Sequence, residues 1–101
     1  MEETPLKVEG YAREKIGLAT LALKGARSKK EKLLKVAQST LSAVSAEDFA
    51  DADLRRRWEE IYSALTQKGK YRESIEAMTE DEAGSIAGRI VALDRLIRDE
   101  D

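Results

Sequence analysis

At 101 residues the chain has room for one domain, and its hydrophobic share of 42% is enough for a core. Lys and Arg number 18 against 20 Asp and Glu, and this near-neutral mix argues against wholesale binding to nucleic acid or to a membrane. With no His and no Cys, the chain offers no imidazole base, no thiolate nucleophile, no His-containing triad and no His or Cys metal site.

The amino end, Met1-Glu2-Glu3-Thr4-Pro5, is acidic with no apolar run behind it, unlike a signal peptide. The longest apolar-leaning stretch, Ile16 to Leu23, is far too short to cross a bilayer. A cytoplasmic location is expected, and the lack of cysteine suits a reducing compartment.

Pro5 is the only proline, so breaks between elements must come from glycines and capping residues. Helix one is expected from near Leu6 to Lys24. On a wheel of about 100° per residue, Val8, Ala12, Ile16, Ala19, Ala22 and Leu23 share one face, flanked by Tyr11 and Leu18. Gly25 is a natural stop. Ser28-Lys29-Lys30-Glu31 fits a capping box that opens helix two. Its apolar face is Leu33, Val36, Ala37, Leu41 and Val44, widened by Leu34. Ser45 to Ala50 reads as a corner, with Phe49 turned inward. Asp51 can cap helix three, where Leu54, Trp58, Ile61, Tyr62 and Leu65 align, and Gly69 ends it.

Lys70 to Met78 has too few apolar residues to decide its state. Thr79-Glu80-Asp81-Glu82 is a second capping box, with acids suited to the helix dipole. Helix four follows, with Ala83, Ile86, Ala87, Ile90, Leu93 and Ile97 on one face. Residues 1–5 and 99–101 are expected to fray. The sum is an all-α, single-domain fold: a four-helix bundle or a closely related helical array.

No catalytic, cofactor or metal site is expected. The carboxylates cluster at helix starts and on outer faces, where capping and solvation account for them, and the six glycines stand singly rather than in a phosphate loop. Arg55-Arg56-Arg57 reads as a solvated face, since Glu59 and Glu60 follow one turn later and can pair with Arg55 and Arg56.

The stretch 24–35 carries six basic residues, Lys24, Arg27, Lys29, Lys30, Lys32 and Lys35, against Glu31 alone. Residues 1–44 are net +4 and residues 45–101 net −6, so the molecule is dipolar. Lys29, Lys30, Lys32 and Lys35 could touch phosphate or an acidic partner, or could form a lysine-rich turn without aromatic residues for base stacking. Gly84 and Gly88 form a small-residue ridge permitting close approach, inside the bundle or across a dimer. Lys15 and Asp94 each interrupt an apolar stripe. They are expected to meet as a partly buried ion pair or to share a groove where a partner docks, with snorkelling of Lys15 as the alternative.

Several stretches resemble short, uncharacterised bacterial helical proteins with a polar corner before the third helix and a Met-Ser/Thr-acidic start to the last. They are Ala46-Glu47-Asp48-Phe49, Trp58-Glu59-Glu60-Ile61, Leu65-Thr66, Ser74-Ile75-Glu76 and Met78-Thr79-Glu80-Asp81-Glu82-Ala83. The proline expected after the corner is missing, and the resemblance implies no function.

The leading functional expectation is a non-enzymatic interaction module that binds another protein, or itself as a homo-oligomer, through an exposed helix face. Trp58 and Tyr62 would be anchors if exposed, or Trp58 the centre of the core. The alternative is a nucleic-acid-associated protein using the basic stretch 24–35.

Overall fold

In a computed structural model, residues 8–25 and 27–99 are described. Among them the fold is all-α, with helices α1 (Gly10–Lys24), α2 (Lys29–Ser39), α3 (Ala52–Leu65), α4 (Tyr71–Glu76) and α5 (Glu80–Asp99). Two 3-10 turns, Leu41–Ala43 and Ala46–Asp48, join α2 to α3. The four expected helices are α1, α2, α3 and α5. The undecided stretch from Lys70 to Met78 contributes α4, which is under two turns long. The expected frayed ends fall mostly outside the described residues.

Helix boundaries follow the capping chemistry. The Ser28 side chain accepts a hydrogen bond from the Glu31 N–H at 3.2 Å, and the Asp51 carboxylate accepts from the Leu54 N–H at 3.0 Å. At the start of α5 both halves of a capping box are made: the Glu82 N–H donates to Thr79 Oγ1 at 3.0 Å, and the Thr79 N–H donates to Glu82 Oε1 at 3.3 Å. Past α3 the chain reverses through Gly69, whose φ of 96° lies in the left-handed region that favours glycine.

The first helix starts later than its periodicity suggests, at Gly10 rather than near Leu6. Val8 forms an isolated antiparallel bridge with Phe49, and the Glu9 N–H donates to the Asp48 carbonyl at 2.9 Å. These backbone groups are taken up by the corner between the 3-10 turns and α3, so they are not available to another helical turn. Tyr11 seals the same junction by donating its hydroxyl to the buried Asp48 carboxylate, which raises the tyrosine pKa to about 12.

Buried residues from every helix form one cluster, running from Val8 to Ile97 and including Phe49 at the corner, Ile75 on α4 and Met78 after it. α5 packs on α1, α2 and α3, and α4 packs on α2 and α3. Ile16, Ala19, Leu23, Leu33, Ala37, Leu41, Trp58, Ile61, Leu65, Ile86, Ile90 and Leu93 are all buried, as their spacing predicts.

Thr20 was not on the expected face, yet it is fully buried and its hydroxyl has no hydrogen-bond partner. Core positions therefore differ in sign. Truncating Ile90 to Ala is expected to lower stability by about 2–5 kcal/mol, since the side chain is surrounded and the cavity cannot fully collapse. Thr20→Val keeps the shape while removing an unpaired hydroxyl, and is expected to raise stability by about 1 kcal/mol. Urea unfolding of both variants checks the pair of signs.

Candidate functional site

Each surface singled out in the sequence is occupied to a different degree. The basic stretch opens α2, where four helix ends converge. The Lys29 ammonium donates to the Leu23 carbonyl at 2.7 Å, capping the end of α1, and the Lys30 ammonium donates to the Glu76 carbonyl at 3.1 Å, capping α4. Glu80, in the first turn of α5, reaches the start of α2. Its carboxylate accepts from the Ser28 hydroxyl at 2.7 Å and from the Lys29 N–H at 3.1 Å. Ser28 therefore caps α2 as expected, and the carboxylate that joins it at this helix start comes from a distant helix. Two of the four lysines proposed for a partner hold helix ends. Lys32 and Lys35 line a shallow pocket of about 270 Å³ with Arg27 and Glu31.

The glycine ridge divides in the same way. A Cβ on Gly84 would sit 3.9 Å from Cγ of Lys29, in ordinary contact with the lysine stem at the junction. A Cβ on Gly88 would meet nothing within 4 Å. The ridge is therefore not a helix-packing seam inside the fold.

The ion pair expected between Lys15 and Asp94 is not formed. Asp94 is buried, but its carboxylate is held by Arg98 one turn later on α5, with Arg98 Nε donating at 3.0 Å. The reason is rotational. The α1 residue facing Asp94 is Gly17, where a Cβ would lie 3.7 Å from Oδ1, and Lys15 projects about 160° away around the helix. Lys15 is half-buried.

The arginine triplet is likewise engaged. Arg56 bridges Asp53 and Glu60 at 2.8 and 2.7 Å, and Arg57 pairs with Asp53 at 2.9 Å. Arg55 does not pair with Glu59. Its guanidinium donates twice to the Phe49 carbonyl, at 3.0 and 2.9 Å, pinning the corner to α3.

Trp58 lies in the core at 2% exposure. It heads a row of rings that climbs to the surface: Phe49 stacks on it at 6.0 Å, Tyr62 follows at 6.3 Å, and Tyr71 meets Tyr62 edge-on at 6.4 Å. Tyr62 and Tyr71 line an open groove of about 510 Å³ whose other walls include Ser42, Ser45, Glu59 and Ser63.

The surface that sequence reasoning missed is on α1. Among the described residues the exposed large hydrophobics are Tyr11, Leu18, Leu21 and Tyr62, and the first three fall on one strip of one helix. Leu21 is the most open of them, at 66% exposure. Tyr11, Leu18 and Gly25 are seven residues apart, with Glu14 and Leu21 at the intervening positions, so the strip has heptad spacing. It lies nearly opposite the core face formed by Ala12, Ile16, Ala19 and Leu23. Beside it a groove of about 500 Å³ runs between α1 and α5, with Gly17, Leu18 and Leu21 on one wall and Asp94, Ile97 and Arg98 on the other. The signal was present in the sequence as a second apolar period, but Tyr11 and Leu18 were read as margins of the core stripe.

Among the described residues no group of three or more carboxylates could hold a metal ion, and no helix is long and apolar enough to cross a membrane. The titration of the junction supplies a direct test of its role. Hydrogen bonds from the Ser28 hydroxyl and from the Lys29 and Lys30 N–H groups hold the Glu80 carboxyl below its usual range. Its stabilising contribution is therefore complete above the ordinary glutamate pKa and is lost as pH falls through the lower folded-state value. Glu80→Gln is expected to lower Tm at neutral pH, and its deficit relative to the parent is expected to shrink as pH falls through and below the ordinary glutamate range. Thermal melts across that range decide it. Compared with known proteins, the chain matches no family model, no curated protein and no solved structure.

Proposed function

We propose that the protein is a non-enzymatic helical interaction module whose docking face is the outer strip of α1. The observation that carries this reading is the concentration of Tyr11, Leu18 and Leu21, three of the four exposed large hydrophobics among the described residues, on a single helix face. A helix buries one apolar stripe in its own core. A second stripe at heptad spacing on the far side is suited to packing against another helix. The adjoining groove between α1 and α5 adds a polar rim, formed by Arg13, Glu14 and Arg98.

The alternative reading, a nucleic-acid contact through stretch 24–35, has less behind it. Lys29 and Lys30 spend their ammonium groups on carbonyls at the ends of α1 and α4, and the pocket beside Lys32 and Lys35 offers no aromatic ring on which a base could stack.

The module reading is tested by photo-crosslinking in the cells from which the protein comes. A photoreactive phenylalanine analogue replaces Leu21, or, as a control, Ala92 on the exposed side of α5. A discrete adduct is expected from position 21 and not from position 92, and Leu18→Lys is expected to abolish it. Equal labelling at the two positions, or none at position 21, overturns the reading.

A further inference from the structure

The occupant of the α1 strip can be argued from its charges. Glu14 interrupts the strip near one end, and Lys24 flanks it near the other, beside Gly25. Both are exposed, and among the described residues neither has an ion pair within the chain. The two charges are ten residues apart, about 15 Å along the helix axis. We infer that the strip is covered by the same strip of a second copy of this chain, packed antiparallel about a twofold axis near residues 19 and 20.

In that arrangement the residue facing any position is found by reflection through the axis. Leu18 of one copy meets Leu21 of the other, and the reverse contact is made by symmetry, giving a four-leucine centre. Glu14 falls opposite Gly25, where the missing side chain leaves room for the carboxylate to reach Lys24 of the second copy. A parallel pairing would instead set Glu14 against Glu14 and Lys24 against Lys24. Antiparallel packing also opposes the two helix dipoles. The self-complementary order of acid, apolar centre and base therefore selects both the occupant and its direction.

Tyr11 extends the strip towards the amino end. Its ring is held by the hydrogen bond to Asp48, so little side-chain freedom remains to be lost on association. A single helix-on-helix contact of this length falls at the small end of specific interfaces, below about 1,200 Å² in total, so the dimer is expected to be reversible.

This inference rests on the reading of the α1 strip as a docking face, and its test uses the purified full chain. Sedimentation equilibrium from about 10 μM to about 1 mM should show a mass rising from 11.3 kDa towards twice that value. The double variant Leu18→Ser/Leu21→Ser should remain folded by circular dichroism and weaken association at least about tenfold, since it empties the centre of the interface. Glu14→Lys and Lys24→Glu should each weaken it by roughly threefold to tenfold, because each dimer carries two such exposed pairs. The combined variant Glu14→Lys/Lys24→Glu should restore it.

A parent chain that stays monomeric throughout the range overturns the inference, as does association that ignores the leucine substitutions. Loss of association in the single charge variants without recovery in the combined one overturns the antiparallel register. If the purified chain is monomeric while position 21 still crosslinks in cells to a heavier species, the second copy is refuted and the module reading stands. If neither occurs, both fail.

Discussion

Every helix end leaves backbone N–H or C=O groups without partners, and short connections bring four such ends of this chain together. The ends of α1 and α4 and the starts of α2 and α5 converge around Ser28, Lys29, Lys30 and Glu80. Uncapped, this convergence would place like dipole ends and unpaired carbonyls against one another. The chain resolves it by exchange. Ammonium groups from α2 cover the carbonyl ends of α1 and α4, and a carboxylate from α5 covers the N–H end of α2. Because Ser28 and Glu80 are 52 residues apart, this one carboxylate ties the helical hairpin of the amino half to the last helix. The directions of α1, α2 and α5 all pass through that tie.

The same exchange decides what the basic stretch can offer. Counted from the sequence, stretch 24–35 is the most positive part of the molecule. Yet a lysine whose ammonium is already donating to a carbonyl must give up that bond before it can contact phosphate. The field of the basic end survives, since hydrogen bonding does not remove charge, but its two best-placed donors are directed inward. The corner shows a similar economy: Arg55 spends both donor groups on the Phe49 carbonyl, and the buried Asp48 takes the Tyr11 hydroxyl and the Ser45 N–H. Charged residues that look like a surface in the sequence therefore act as fasteners in the fold.

Periodicity made the core legible because a buried helix face needs only a repeated residue type at a repeated interval, and both are printed in the sequence. Caps at Ser28, Asp51 and Thr79 were legible for the same reason, each being a local pattern within four residues. What depended on distant partners was not. Glu80 joining the α2 cap, Arg98 rather than Lys15 neutralising Asp94, and the Val8–Phe49 bridge that delays α1 all join residues whose meeting is decided by packing. Lys15 and Asp94 each read as interrupting an apolar stripe, but a stripe says nothing about which rotation of α1 faces α5. Gly17 shows that rotation, since it is the α1 position whose Cβ would be in ordinary contact with the Asp94 carboxylate. Thr20 escaped notice because its residue type is polar and its burial is not.

Leu18 and Leu21 of the α1 strip stand apart from these fasteners, since both are exposed rather than packed in the core. The outer face of α3 carries the Asp53, Arg56, Arg57 and Glu60 network, and the first turn of α5 is acidic. Both follow the ordinary rule that a helix presents charge to water once its apolar stripe is buried. On α1 that rule is broken at Leu18 and Leu21, which are exposed where a charged residue is the usual choice. A departure from binary patterning with no compensating contact in the fold is the usual mark of a surface kept for another purpose. The strip also sits on a helix held at both ends, through Val8 and Tyr11 at one and Lys29 at the other. A rigid helix loses little freedom when it docks, so the anchoring of α1 supports the docking face proposed for it.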